Sequence, residues 1–394
     1  MRTIGFGLIG LGMMGREFAG AVARWPHLTD LGLRPELRAI CSRRLSTEQE
    51  QWYRSMAPSI ALATCDYREL LAHPDIDAVY VAVPHNLHAE IYCATIQAGK
   101  HLLGEKPFGI DAEANARILE AARANPEVMV RCASQFMFLP GAQRIAAMLE
   151  AGEFGRIIEA EVGFLHSSDL NPRKPINWKR RASINGEYGV LGDLGMHTLP
   201  LPLRAGWRPK NVRALLANVI PERPNPDGGT EPCDTWDNAT LLCEAEESAA
   251  VTGEASRSGA SFPLTVRAHR IAPGEMNSWY IRVYGTQSSA AFSTKEINRL
   301  WVLQYPGSGE QAWQQIDLGY HTPFPTVSAP TFEIGFSGAL MQMWAAFVDE
   351  LDRGAPRARY AGCFTPEESA VGHELFSAAL RSHAEGRVVA LGDS

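Results

Sequence analysis

Apolar residues recur with two different periods along this chain, and the change of period divides it. From residue 3 to about 136, short apolar runs alternate with stretches of helical spacing. Residues 3–9 predict a first strand, and the stretch through Phe18, Val22 and Trp25 predicts a helix behind it. ELRAICSRR (36–44) reads as a second strand. YRELLAHPDID (67–77) then reads as a helix and turn, AVYVAVP (78–84) as a buried strand, and HAEIYCATIQAG (88–99) as a helix. KHLLGE (100–105) predicts a strand, Asp111 to Arg123 a helix, and VMVRCASQF (128–136) a further strand. Strands alternating with helices pack as a parallel, doubly wound sheet, and ligands of such sheets bind beyond the carboxyl ends of the strands.

From about Gly155 the period falls to two, in RIIEAEVGFLHS (156–167), NVRALLANVI (211–220), NATLLCEAEESAAVTGEASRS (238–258), LTVRAHRI (264–271) and WYIRVYG (279–285). Long alternating strands predict an open, mostly antiparallel sheet with one face turned to solvent or a partner. Residues 338–354 and 365–387 have amphipathic helical spacing, and PERPNPDGGTEP (221–232) has the composition of a loop. The expected fold is therefore α/β: an N-terminal Rossmann domain over residues 1–135, then an α/β domain with the open sheet over 136–394. A length of 394 residues suits two cores better than one.

Composition narrows the partners. An apolar fraction of 45% and a net charge of −7 describe a soluble globular chain and give no support for nucleic-acid binding. No apolar run approaches the length that crosses a bilayer. The opening MRTIGFGLIGLG fits a first strand better than a signal peptide. The seven cysteines are odd in number, scattered, and form no CxxC pair, so reduced thiols in a cytoplasmic protein without a metal site are expected.

Gly10, Gly12 and Gly15 follow the first strand as GxGxxG, with Met13 and Met14 opening the helix. The three glycines serve a tight turn, close approach of a pyrophosphate, and helix–strand packing. The second strand ends Cys41-Ser42-Arg43-Arg44, with no carboxylate for a ribose 2′-OH and two guanidiniums able to hold a 2′-phosphate. NADP is thus the expected cofactor, with NAD as the alternative. Pro84, Asn86, His88, Glu105, Lys106 and Gln135 fall at or just after the ends of later strands and join the expected cofactor crevice.

The motifs GxGxxG (10–15), VPHNLHAE (83–90), Glu105-Lys106-Pro107 and Asp193-x-Gly195-x-His197 stand at separations that resemble the glucose–fructose oxidoreductase / inositol dehydrogenase (Gfo/Idh/MocA) family over nearly the whole chain. The resemblance implies an NAD(P)-dependent oxidoreductase acting on a sugar, polyol or sugar derivative, assembled as a homodimer or homotetramer through the open sheet. It places Lys106, Asp193 and His197 in the catalytic site, with either Lys106 or His197 as the base. Read by themselves, Asp193 and His197 are four apart and would share a helix face, where a carboxylate can orient an imidazole. His197 is the expected base, Lys106 the group that polarises the substrate oxygen, and Asp193 an orienting group for the substrate or His197. Glu105 is expected to tie down the loop presenting Lys106. Pro200 departs from the family pattern, where an Asp often stands, and would kink a continuous helix there.

The stretch DLNPRKPINWKRRASINGEYG (169–189) precedes this motif and carries five basic residues between Arg173 and Arg181 without an acid. Trp178, Lys179, Arg180 and Arg181 are therefore candidate substrate contacts, suited to a sugar ring and an anionic substituent, or alternatively a solvated loop or oligomer contact. His166 and Tyr188 are further candidates. A redox-neutral glycosidase working by transient oxidation, elimination and hydration would use the same residues. A non-catalytic sugar sensor would have little need of Lys106, Asp193 and His197 together.

Overall fold

A computed structural model of the chain describes residues 2–248, 261–319, 322–328 and 335–392. Its first strands are β1 (Arg2–Ile9), β2 (Leu33–Cys41), β3 (Leu62–Thr64), β4 (Ala78–Val81), β5 (His101–Gly104) and β6 (Val130–Cys132). They form one parallel sheet in the order β3-β2-β1-β4-β5-β6. All four residues of β4 are fully buried, which is why that run is apolar without alternation. The intervening helices are α1 (Met13–Ala23), α2 (Thr47–Met56), α3 (Tyr67–Leu71), α4 (His88–Gln97) and α5 (Ala112–Ala124). Side chains of Ser46, Asp66 and Asp111 accept first-turn N–H groups of α2, α3 and α5. The hydrophobic pattern does not reveal α2 or β3: the helix fully buries only Tyr53, and the strand has three residues. The second strand begins three residues before the expected start and stops at Cys41, leaving Ser42, Arg43 and Arg44 beyond its tip.

Two units divide the chain: Met1–Phe138 with His321–Ser369, and Leu139–Tyr320 with Ala370–Ser394. The expected division placed everything after residue 135 in the second domain; the segment 321–369 returns instead to the first. Its physical reason is a helix that is apolar on almost every side. α6 (Pro140–Glu150), α7 (Ala182–Asn185), α8 (Val190–Asp193) and α9 (Pro200–Arg204) precede it in the chain, so it is α10 (Phe336–Arg353). Its Trp344 and Phe347 pack edge-on against Phe18, Tyr80 and Phe6 at centroid distances of 5.3, 5.7 and 6.1 Å. Glu350 at its buried end pairs with Arg131 of β6.

The second unit holds β7 (Ile157–His166), β8 (Trp207–Ala217), the hairpin β9 (Glu222–Pro224) and β10 (Thr230–Pro232), then β11 (Asn238–Glu247), β12 (Ser261–His269), β13 (Met276–Gly285), β14 (Ser288–Ser293), β15 (Arg299–Gln304), β16 (Gln314–Asp317) and β17 (Val389–Ala390). Its large sheet has the order β16-β15-β14-β13-β7-β12-β11-β8-β17, antiparallel except for β7 beside β12. Val212, Ala214 and Leu216 of β8 and Ala239, Leu241, Cys243 and Ala245 of β11 are buried, whereas Leu215 and Leu242 between them are exposed. Period two thus corresponds to one covered face. The stretch expected as a plain loop at 221–232 contains the β9–β10 hairpin, and Arg223 in it is buried. Residues 249–258 of the expected strand 238–258 lie outside the described residues. The final amphipathic segment forms α11 (Pro366–Glu385). No helix among the described residues is long and apolar enough to cross a membrane.

Candidate active site

In the first unit the candidate residues lie at the carboxyl ends of the parallel strands. Gly10 follows β1 with φ +101°, and a Cβ there would stand 2.2 Å from the Ala82 carbonyl oxygen, so glycine is required on both counts. A Cβ on Gly15 would lie 2.3 Å from the Gly10 carbonyl oxygen. Gly12 is different. It enters α1 in an extended conformation, no side chain caps the helix, its first turn holds no acid, and a Cβ on Gly12 would meet nothing within 4 Å. Uncapped N–H groups carrying the positive end of a helix dipole, with open space before them, are what a pyrophosphate needs. Met13 lies largely in solvent at the same place. Arg43 and Arg44 are exposed and have no ion pair among the described residues. Ser42 donates its hydroxyl to the Arg44 carbonyl at 3.3 Å, which folds the tip of β2 into a turn. The residues present fit a dinucleotide.

The turns after β4 and β5 are clipped together. His88, the first residue of α4, is fully buried, with Nδ1 2.7 Å from the Pro107 carbonyl oxygen and Nε2 3.0 Å from that of Val83. Its ring stacks on Tyr92 at 4.8 Å, and the Tyr92 hydroxyl donates to the Glu105 carbonyl at 2.6 Å. Tyr80 donates to the Glu105 carboxylate at 2.7 Å. Burial pushes His88 down to about 4, against the upward pull of the two carbonyls, so the ring is neutral at pH 7 and donates to one of them. His88, expected in the cofactor crevice, and Glu105, expected there and also to tie down the loop, are members of the frame that holds the turns carrying Pro84 and Lys106. Asn86 and Pro84 are exposed, Lys106 is half-buried and joined to Pro107 by a cis peptide bond, and Gln135 is buried.

In the second unit, Asp193 and His197 do not share one helix. α8 ends at Asp193, a 3₁₀ turn runs over Gly195–Thr198, and Pro200 opens α9 at a position where proline is well suited. Pro200 therefore starts a helix and does not kink one. His197 is held by its backbone, whose carbonyl accepts the Trp279 indole N–H at 3.0 Å, while its ring meets Phe164 edge-on at 5.4 Å. Asp193 is buried, and its Oδ2 accepts from Lys179 Nζ at 2.9 Å and from Arg270 Nη2 at 2.7 Å. Arg270 is missed by motif reading. It does continue the inward parity of Phe262, Leu264, Val266 and Ala268 in β12, and a charge at an inward position is the one signal that could have found it.

The basic stretch is largely neutralised within the fold. Arg180, expected at the substrate, is fully buried between Asp237 and Asp169, with its Nη2 2.5 Å from the Asp169 carboxylate. A guanidinium with no solvent access and two carboxylates cannot contact a ligand, so that expectation is corrected. Arg181 forks onto both carboxylate oxygens of Glu231 at 2.7 Å. Lys174 pairs with Asp169 at 2.6 Å. Burial alone would raise the Asp169 carboxyl, but Lys174 and Arg180 outweigh it and hold it below its ordinary value. Trp178 is half-buried, with the Lys179 ammonium 5.6 Å from the centre of its ring. Tyr188 is a core residue hydrogen-bonded to Ser377.

A Rossmann unit with an open helix N-terminus and, in the same chain, an open-sheet unit with a buried Asp and a fixed His define a dehydrogenase-like class of protein. Family comparison agrees. Residues 4–132 match the oxidoreductase family, NAD-binding Rossmann fold, and residues 142–291 match the GFO/IDH/MocA C-terminal domain. The chain belongs to the Gfo/Idh/MocA family of oxidoreductases. Levoglucosan dehydrogenase of Pseudarthrobacter phenanthrenivorans is 27% identical over 326 residues, covering 77% of this chain and 76% of that protein. A dTDP-3,4-didehydro-2,6-dideoxy-alpha-D-glucose 3-reductase of Actinomadura kijaniata is 35% identical over 141 residues, 35% of this chain and 39% of that protein. Levoglucosan dehydrogenase solved in complex with NADH and levoglucosan shares the fold at a TM-score of 0.85 and 24% identity, with 100% of each chain covered.

Proposed function

We propose that this oxidoreductase acts on a hydroxyl or carbonyl carbon of a sugar, polyol or sugar derivative, with NADP preferred and NAD as the alternative. The observation that carries the reading is the Asp193-x-Gly195-x-His197 motif in folded form: a buried carboxylate held by Lys179 and Arg270, and an imidazole fixed through its own backbone. When bound, the nicotinamide supplies or accepts the hydride. His197 removes the hydroxyl proton in oxidation and returns it in reduction, since an imidazole exchanges protons near neutral pH. Lys106 polarises the reacting oxygen and stabilises negative charge developing there. Asp193, an acceptor when ionised, and Lys179, a donor, orient neighbouring hydroxyls, while Trp178 offers an apolar surface to a sugar ring.

Arg180 and Arg181 are committed to internal carboxylates, which favours a neutral polyhydroxylated substrate over an anionic one. Arg43 and Arg44, exposed at the tip of β2 and without an ion pair among the described residues, favour NADP. The family resemblance supports a homodimer or homotetramer, which light scattering would report.

The test is absorbance at 340 nm with NADP or NAD and a panel of neutral sugars, acidic sugars and aryl glycosides, with aglycone release followed in parallel. Nucleotide reduced in step with a neutral sugar is the expected result. Aglycone released only in the presence of nucleotide, with no net absorbance change, would establish the redox-neutral glycosidase instead. Tight sugar binding without turnover would indicate a sensor. Replacing Arg43 and Arg44 by Ala should raise the KM for NADP about 10- to 100-fold and leave NAD nearly unchanged, since charge-assisted phosphate contacts are lost. Equal effects on both nucleotides would refute the preference.

A further inference from the structure

Arg270 stands just beyond β12, and its backbone N–H donates to the Asp237 carbonyl at 2.8 Å, at the foot of β11. Its side chain turns inward and is 2% exposed. Nη2 donates to Asp193 Oδ2 at 2.7 Å, and Nη1 to the Lys179 carbonyl at 3.3 Å. Lys179 Nζ reaches the same Asp193 oxygen at 2.9 Å. One planar guanidinium therefore binds the end of α8 and the turn Trp178–Arg180, two segments 14 residues apart in sequence. A lysine has a single charged nitrogen and could not span both.

The charges around Arg270 are those of Asp193, Lys179, Arg180, Asp169 and Asp237. Asp237 and Asp169 already share Arg180, and Asp169 also takes Lys174, so the carboxylate left for Arg270 is Asp193. If Arg270 were removed, Thr235 would still hold the Lys179 carbonyl at 3.0 Å, so the turn would loosen without being lost.

We propose that Arg270 is a positioning residue for the reaction: it fixes the Asp193 carboxylate and sets Lys179 against it, in the arrangement that receives the substrate hydroxyls. This rests on the reading of Asp193 and Lys179 as substrate ligands. Their misplacement by about 1 Å would cost on the order of 10²-fold in rate.

The experiment compares Arg270→Met and Arg270→Lys with the wild type from pH 5 to 9, measuring kcat, both KM values and thermal stability, and solves the variant structures. R270M should lose about 10²-fold in kcat at an unchanged KM for nucleotide. R270K should recover the rate only in part. Unchanged kcat in R270M, or a loss that disappears once activity is expressed per folded molecule, would overturn the proposal. If R270M does not fold, R270K decides: wild-type kcat overturns the proposal, reduced kcat at wild-type stability supports it. A wild type that turns over no sugar refutes the assigned chemistry. The structures then decide the positioning role separately, because Lys179 and Asp193 still in contact in R270K would refute it.

Discussion

The buried His88 offers a direct reading of how firmly the turn bearing Lys106 is held. In the unfolded chain its imidazole titrates near 6.5, whereas in the native state burial lowers it to about 4. The native state therefore releases the proton first on going up in pH, and the unfolded state takes it up first on going down. Stability attributable to His88 is fully present above about pH 6.5 and is lost as pH falls towards the native value. Linkage gives a loss of about 2 kcal/mol between pH 7 and 5, approaching about 3 kcal/mol by pH 4. His269 and His101 are also lowered by burial, and they add the same slope to any variant. The comparison is thus between wild type and His88→Asn, which keeps an amide donor facing the Pro107 carbonyl but cannot titrate. Urea unfolding at half-unit steps from pH 7 to 5 would measure it. The variant should be weaker at pH 7, because the stack on Tyr92 is gone, yet flatter in pH by about 2 kcal/mol. Two parallel curves, agreeing within a few tenths of a kcal/mol after vertical offset, would show that His88 does not carry this charge penalty.

Two further pairs of substitutions separate frame from function. Gly12→Ala should leave the melting temperature close to wild type and weaken nucleotide binding at least tenfold in a fluorescence titration, because its Cβ enters space that only a ligand fills. Gly10→Ala should instead cost at least about 2 kcal/mol of stability, through its positive φ and the Ala82 carbonyl. Arg180→Met strands the buried Asp237 carboxylate and leaves Asp169 with Lys174 alone, and should cost about 3–5 kcal/mol in chemical denaturation. Arg181→Met removes a part-exposed pair and should cost about 1 kcal/mol or less. A stable R180M with a raised sugar KM would return Arg180 to the substrate.

The motifs that lie on short segments with fixed backbone demands were legible. Gly10 and Gly15 announce a turn that admits no Cβ, and the strand ends beside them follow from alternation. The parts that depend on distant partners were not. Arg180 and Arg181 read as a basic patch because the carboxylates that neutralise them stand 11, 57 and 50 residues away. An i, i+4 spacing suggested one helix through Asp193 and His197, and nothing local marks the change to a 3₁₀ turn at Gly195. Segment 321–369 joins the first unit through Trp344 and Phe347, whose apolar stripe fits either sheet. The Pro- and Gly-rich 221–232 stretch hides a hairpin because only three residues on each side pair.

The triad of Asp169, Arg180 and Asp237 has a consequence for how such a protein diverges. Its members come from the two ends of the segment 169–180 and from the foot of β11, so the segment is pinned at both ends by one shared charge. Arg180 is the cation that Asp169 and Asp237 share, so its loss leaves Asp237 an unmatched ion in the interior while Lys174 stays with Asp169. Residues 171–178 between the pins carry no such obligation to Asp237. A lineage can rewrite that short span while the frame that holds it stays the same.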